Sequence, residues 1–238
     1  MIDKVRSGKL GDVFLFTSTF AQMLDPAGHR AKSGDDAGPV LDMGPYPVNA
    51  ARYVFGAEPT EVASAVGLRR RPGELGDFDD TVAVTLRFPE DRIAQFALSY
   101  AANFIDSYTV VGTKGSIEMS PGFIYGKPLE QVSTIGESRS RHSFKNTDHF
   151  GGEMKYFSDC ILNEREPEPD AEEGFADVRV LEGVLEALRT GKPVVLPPFT
   201  RTKRIDTESQ EQRLRAKSSP DLVNTSNPGK DTEKQPKN

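Results

Sequence analysis

Asp42 and Tyr46 stand four residues apart in the run Pro39-Val40-Leu41-Asp42-Met43-Gly44-Pro45-Tyr46-Pro47-Val48-Asn49. On a helix that spacing puts both side chains on one face, where they can converge on one small ligand. A carboxylate beside a phenol suits recognition of a sugar hydroxyl, and the phenol exchanges a proton once a nearby cation lowers its pKa. The spacing also allows a structural account, with Asp42 capping the helix and Tyr46 packed on a sheet, and taken alone it favours that account. Two prolines in the first turns of a helix are nonetheless strange unless the backbone there is shaped for something.

Other polar residues rank below this pair. His29, Arg30 and Lys32 lie in the loop before it and could line the same site, although a solvated loop is the favoured account. Asn103 and Asp106 fall between two strand-like runs and could face the same cleft. Of His142 and His149, which flank Lys145 and Asn146, His149 is favoured as a helix-start residue near the pocket. The Arg69-Arg70-Arg71 cluster reads as a solvated strand end.

The elements that must position these residues show as two periodicities. Val82, Val84, Leu86 and Phe88 alternate with Thr81, Ala83, Thr85 and Arg87, and the turn Pro89-Glu90-Asp91 leads into a second strand at 93–100. Similar runs occur at 13–20, 61–68, 107–112 and 116–119, with turn chemistry at Gly112-Thr113-Lys114-Gly115. Short connections imply a largely antiparallel sheet. Phe14, Phe16 and Phe20 fall on one side of the first strand and Val13 and Leu15 on the other, so a second, semi-apolar face should remain open for an oligomer contact. Three helices are predicted. One spans 39–55 and stops at Gly56; one spans 148–162 with Phe150, Met154, Phe157 and Ile161 as a buried stripe; one spans 170–190 with Phe175, Val178, Leu181, Leu185 and Leu188 on one face, stopped by Gly191 and Pro193. The expected fold class is α+β: an open-faced, largely antiparallel sheet with helices on one face, over 1–199. From Thr200 the composition turns polar, and 200–238 reads as a tail too poor in apolar residues to offset its ordering entropy, hence disordered or loosely draped.

Several function classes are unsupported. No G-x-G-x-x-G turn, P-loop or G-x-S-x-G elbow occurs, so a Rossmann domain is absent, and none of the three histidines pairs at a metal-ligand spacing. The net charge of -6 argues against nucleic acid as a partner. No apolar run approaches a membrane span, and the first residues lack a secretory h-region, so the expected location is the cytoplasm. Cys160 is the one cysteine and reads as a structural thiol in a helix.

The run from Leu41 through Asp42, Gly44, Tyr46, Pro47, Asn49, Arg52, Tyr53 and Gly56 to Glu58-Pro59 resembles a stretch in the C-terminal domain of the glucose-fructose oxidoreductase, inositol dehydrogenase and MocA (Gfo/Idh/MocA) family. Ser7-Gly8-Lys9-Leu10-Gly11-Asp12-Val13 resembles the segment joining that family's two domains. Tyr108 to Gly115, Glu172 to Arg179 and Arg189 to Val194 resemble further family segments, in family order.

The resemblance implies a two-domain enzyme whose N-terminal Rossmann fold holds NAD or NADP and whose C-terminal domain offers an open sheet for dimers or tetramers. It also implies that Tyr46, four residues after Asp42, is the catalytic acid/base. The family's catalytic lysine, in a Glu-Lys-Pro motif, belongs to the Rossmann half and has no counterpart here. The family's glycine-rich run before the aspartate is altered to Asp36-Ala37-Gly38-Pro39-Val40. Two readings follow. In one, the chain is the substrate-binding and oligomerisation part of an NAD(P)-dependent oxidoreductase acting on a sugar or polyol, completed by a separate Rossmann-domain chain. In the other, it is a non-catalytic carbohydrate-binding or assembly module from a truncated gene.

Overall fold

Alternating apolar residues give each central strand one buried face, and in the computed structural model those faces merge into one core. The structure describes residues 1–32, 34 and 37–201; the expectation for 202–238 lies outside the described residues. Nine strands form one sheet: β1 (Val13–Met23), β2 (Glu61–Leu68), β3 (Thr81–Phe88), β4 (Arg92–Ser99), β5 (Ala101–Gly112), β6 (Gly115–Met119), β7 (Glu130–Ile135), β8 (Ser138–Ser143) and β9 (Val194–Val195). Their order is β8-β7-β6-β5-β1-β4-β3-β2-β9. Every neighbouring pair is antiparallel except β1 and β4, which run parallel. After β4 the chain turns around the end of β1 and returns as β5 on its other side, and Tyr100 sits in that turn. The fold is α+β with an open mixed sheet, as expected.

The alternation locates β2 and β3 to the residue. The turn between β3 and β4 places Glu90 and Asp91 at φ 62° and 54°, the left-handed values that suit a tight hairpin. Sequence reasoning missed β7, β8 and β9. All of β8 is exposed, so it has no apolar face to betray it, and its arginines guard the sheet edge. β7 buries Gln131 and Ser133, which bond to each other at 2.9 Å.

The helices are α1 (Ile2–Arg6), α2 (Pro39–Met43), α3 (Pro45–Phe55), α4 (His149–Leu162) and α5 (Ala171–Thr190). The single helix expected over 39–55 is two, divided at Gly44. Pro45 and Pro47 lack the N–H groups that would bond the carbonyls of Leu41 and Met43, so the helical ladder is interrupted there. Gly44 must be glycine: a Cβ would stand 2.2 Å from the Val40 carbonyl oxygen and 2.8 Å from the Leu181 side chain. Gly56 ends α3 in the left-handed conformation, as the sequence suggested.

Two helix faces differ from expectation. On α5 the buried residues are Glu173, Ala176, Arg179, Val180, Leu181, Gly183, Val184 and Ala187, whereas Phe175 and Val178 are exposed. The stripe chosen by apolarity was rotated because the helix buries small and charged residues against β2 and β9. On α4, Phe150, Met154, Phe157 and Ile161 all point outward, and the buried residues are Gly152 and Cys160. No helix among the described residues is long and apolar enough to cross a membrane.

The core lies between the sheet and α2, α3 and α5, built from Phe16, Val48, Leu86, Leu98, Val110 and Val184 among others. On the other face Val66, Ala83, Ile93 and Gln95 are exposed. Arg201, which composition assigns to the tail, is buried and pairs with Asp170, Glu172 and Glu173. The packed domain therefore reaches at least to this residue.

Candidate active site

Gly44 has helical dihedrals, φ -60° and ψ -34°, so the interruption it makes leaves α2 and α3 nearly in line. Asp42 at the end of α2 and Tyr46 at the start of α3 thus keep a shared face despite the two prolines. Asp42 is held from both sides. Its Oδ2 accepts a hydrogen bond from the Tyr100 hydroxyl at 2.6 Å, and its Oδ1 lies 3.3 Å from Nε of Arg30. Asp42 therefore does not cap a helix: α2 begins three residues earlier, at Gly38–Pro39, with no side-chain cap. A carboxylate has lone pairs beyond these two contacts, so it can still accept from a ligand hydroxyl.

Tyr46 packs edge-on against Phe20, with ring centroids 5.3 Å apart, and tilts against Phe123 at 5.7 Å. These aromatics fix the ring and leave the residue 42% exposed. The structural reading of Tyr46 as a residue packed on the sheet is thus half right: one face packs and the rest is open to a ligand. Burial raises its pKa, Asp42 and Tyr125 push it further up, and Arg30 pulls it down. Arg30 is a cation beside the phenol but is outweighed, so Tyr46 stays protonated at neutral pH. The charge of Arg30 also pulls down the phenols of Tyr100 and Tyr125.

Tyr46 opens onto a cavity of about 470 Å³ lined by Met1, Ile2, Asn49, Tyr53, Tyr108, Phe123 and Asp177, among others. Burial raises the Tyr53 phenol to about 12. The cavity is largely apolar with a few polar groups, the usual make-up of a small-molecule site. The structure brings Arg30 to the Asp42–Tyr46 pair, while His29 and Lys32 are exposed and make no hydrogen bond or ion pair to it. Asn103 lies within β5, not between strands, and its side chain turns back to the N–H of Phe104. Asp106 is buried and accepts N–H groups of Phe123 and Ile124 at 2.9 and 2.8 Å, so it fixes the loop that carries Phe123 instead of facing the cleft. His149 opens α4, as expected, with Asp148 as its N-cap; no bond joins it to Asp42 or Tyr46. Sequence reasoning missed Tyr100 and Tyr125.

Behind the cavity, α3 and α5 are tied by a buried charge cluster. Arg52, 1% exposed, donates to Glu58 at 2.6 Å, Glu173 at 2.8 Å and Asp177 at 2.6 Å. Asn49 bonds the same Glu173 and Asp177 at 3.0 and 3.2 Å. The cluster sets the height of α3 on α5 and so of Tyr46 on the sheet. Burial holds the Asp177 carboxyl above its ordinary value even with Arg52 beside it. Among the described residues no group of three or more His, Cys, Asp and Glu could hold a metal ion.

Residues 1–118, which contain Asp42, Tyr46 and Tyr100, match the GFO/IDH/MocA C-terminal domain. The chain belongs to the GFO/IDH/MocA family. One relative in this family is D-xylose 1-dehydrogenase [NADP(+)] of Haloarcula marismortui, 31% identical over 66% of this chain and 43% of that protein. Another is trans-1,2-dihydrobenzene-1,2-diol dehydrogenase of Oryctolagus cuniculus, 26% identical over 80% and 58% of the two chains. Among solved structures, aldose-aldose oxidoreductase from Caulobacter crescentus, complexed with glycerol, superposes with a TM-score of 0.73 at 30% identity, covering 82% of this chain and 59% of that one. The chain spans about half the length of the curated relatives it matches.

A dinucleotide's phosphates are commonly held by free backbone N–H groups at a helix start. The longer helices of this GFO/IDH/MocA domain do not offer such a start. The start of α3 carries Pro45 and Pro47, which have no N–H; α4 is capped by Asp148; and α5 is capped by Asp170 with Glu172 and Glu173 in its first turn. Asp148 and Asp170 each take one N–H at their helix start, and the acidic first turn of α5 repels an anion, so these helix starts do not fit a dinucleotide's phosphates.

Proposed function

We propose that this domain supplies the substrate cavity and the proton-transfer group of an NADP-dependent oxidoreductase acting on a CH–OH group of a sugar or polyol, and that a dinucleotide-binding unit outside the described residues completes the enzyme. The observation that carries this reading is the Asp42–Tyr46 pair: the carboxylate is pinned by Tyr100 and Arg30, and the phenol is held by aromatics yet open to the cavity. The relatives named for sugar and diol oxidation support the substrate class. In the reductive direction Tyr46 donates its hydroxyl proton to the substrate oxygen. In the oxidative direction it takes that proton back, and Asp42 accepts a bond from a substrate hydroxyl. The raised pKa keeps the phenol protonated, and a further cation from the dinucleotide-binding unit would bring it toward neutrality for proton transfer in both directions.

The open sheet face, with small and β-branched residues such as Thr17, Val66 and Ala83, suits pairing with a second copy of the chain. The deciding experiment joins this chain to the dinucleotide-binding part of the Haloarcula enzyme and compares turnover of D-xylose by the Tyr46 form and Tyr46→Phe. Loss of turnover by about 100-fold or more, the usual contribution of a general acid or base, is expected. Equal turnover would remove Tyr46 from the chemistry. The reading as a non-catalytic carbohydrate-binding module rests on the lack of a phosphate cradle at these helix starts, and sugar binding without turnover in the joined protein would favour it.

A further inference from the structure

The cavity at Tyr46 has a neighbour. The first takes Met1 and Ile2 from α1, Asn49 from α3 and Asp177 from α5; the second, of about 540 Å³, takes Arg6, Phe55 and Glu173 from the same three helices. Tyr53 lines both and so is their shared wall. The local chain shapes the second cavity. The register of β1 on β5 skips between the pairs Val13–Gly112 and Leu15–Val111, and this bulge leaves Phe14, 44% exposed, in the cavity lining. Asp12 beside it is clamped by the turn after β5: its N–H donates to Thr113 Oγ1 at 3.0 Å, and its carbonyl accepts from the Thr113 N–H at 3.0 Å. Gly11 permits this approach, since its φ is 71° and a Cβ would stand 2.2 Å from Thr113 Oγ1. Arg92 ties the β3–β4 hairpin to the end of α3 by donating to the Phe55 carbonyl at 2.7 Å.

The groups left for a ligand are those not already engaged. Glu90 lies 3.2 Å from Arg92, and Glu173 is held by Arg52 and Arg201. Arg6 and Asp12 remain, one of each sign, and neither side chain has a hydrogen bond or ion pair among the described residues. The Tyr53 hydroxyl is equally uncommitted. Tyr46, Tyr100, Tyr108 and Tyr125 each pack on another ring and Tyr156 accepts an N–H, whereas Tyr53 has neither kind of contact among the described residues. A ligand of net charge gains at one of Arg6 and Asp12 what it loses at the other, and a zwitterion gains little from exposed ion pairs. A neutral ring rich in hydroxyls meets every free group. Its oxygens accept from the guanidinium, its O–H groups donate to the carboxylate, either serves the phenol, and its C–H face covers Phe14. The volume lies within the roughly 300–1,000 Å³ of small-molecule sites.

We infer that this cavity is a second binding site, for a neutral ring polyol such as a cyclitol or a sugar, separate from the cavity at Tyr46. Binding there needs no proton transfer, so the site stands whether or not Tyr46 is catalytic. The test titrates the isotope-labelled full chain with myo-inositol and follows backbone amides and tyrosine rings. Saturable shifts at Asp12, Phe14, Gly56 and the Tyr53 ring are expected, and they should persist in the Tyr46→Phe form. Arg6→Ala and Phe14→Ala should each weaken this binding about tenfold or more. Both side chains are exposed, and unchanged circular dichroism spectra of the two forms separate lost binding from lost folding. Shifts confined to Asp42, Tyr46 and Phe123, or affinity unchanged in both variants, would put the polyol elsewhere and overturn the inference. Saturable shifts at Phe14 and Tyr53 with L-phenylalanine or inorganic phosphate, but not with myo-inositol, would assign the cavity to a charged ligand and overturn it too. So would the absence of shifts at Phe14 and Tyr53 up to the solubility limit of myo-inositol.

Discussion

Replacing Arg52 by methionine tests whether the charge cluster under α3 holds the site in place. The guanidinium is fully buried and donates to Glu58, Glu173 and Asp177 at 2.6 to 3.1 Å. Methionine keeps the apolar stem of the side chain and removes every donor. Asn49 still bonds Glu173 and Asp177, and Arg201 still pairs with Glu173, but buried negative charge is left in excess. Breaking a buried ion pair from one side costs about 3–5 kcal/mol. At roughly 2–4 °C per kcal/mol for a domain of this size, the midpoint should fall by about 6–20 °C. The loss should also depend on pH. Without Arg52 the folded-state pKa of Asp177, already raised by burial, loses the partner that pulls it down and rises further above its unfolded value, near 4. Between those limits the folded state binds more protons than the unfolded one, so stability is regained as pH falls through that window and lost as it rises. Urea unfolding at pH 7.5 and at pH 5, with an unchanged m-value, measures both effects. A loss under about 1 kcal/mol at pH 7.5, or one that does not shrink on acidification, would refute this reasoning.

Other consequences are open to measurement. Gly44→Ala forces a Cβ into the Val40 carbonyl and Leu181, and should cost about 1–3 kcal/mol by overpacking, read from the same unfolding curves. Tyr100→Phe removes the hydroxyl that donates to Asp42 at 2.6 Å and should cost about 1.5–3 kcal/mol, the worth of a hydrogen bond to a charged group, read from the same unfolding curves. Asp106 has a folded-state pKa raised by burial, so its contribution to stability is present at acidic pH and lost as pH rises through that value; Asp106→Asn should flatten this part of the pH profile of unfolding. A charge on the open sheet face, Ala83→Glu, should dissociate any oligomer built on it, as sedimentation would show.

Much of the fold was legible because its strands alternate cleanly. Val82, Val84, Leu86 and Phe88 announce β3, and Gly56 announces the end of α3. The polar edge was not legible, since β8 has no buried side to impose a period. The α4 stripe was legible as a pattern but not as burial: Phe150, Met154, Phe157 and Ile161 share a face whatever covers it. On α5 the apolar count pointed to Phe175 and Val178, while the buried side is organised around Arg179, Glu173 and Gly183. For the candidate site, spacing put Asp42 and Tyr46 on one face but favoured a structural account, and the family resemblance singled them out; Arg30 ranked lower, with His29 and Lys32 in the loop before them. Tyr100 could not be found that way. It is 58 residues from Asp42, and only the turn of the chain around the end of β1 brings the two together.

The central claim is that Asp42 and Tyr46 face a bound sugar or polyol. It is tested most directly by titrating the isotope-labelled chain with D-xylose while following the ring signals of its six tyrosines and the carboxyl signal of Asp42. Saturable shifts centred on Tyr46, Tyr53 and Asp42, reduced by Tyr46→Phe, are the expected result. Saturable shifts confined to residues remote from the cavity, or none up to sugar concentrations far above those at which such enzymes work, would contradict it.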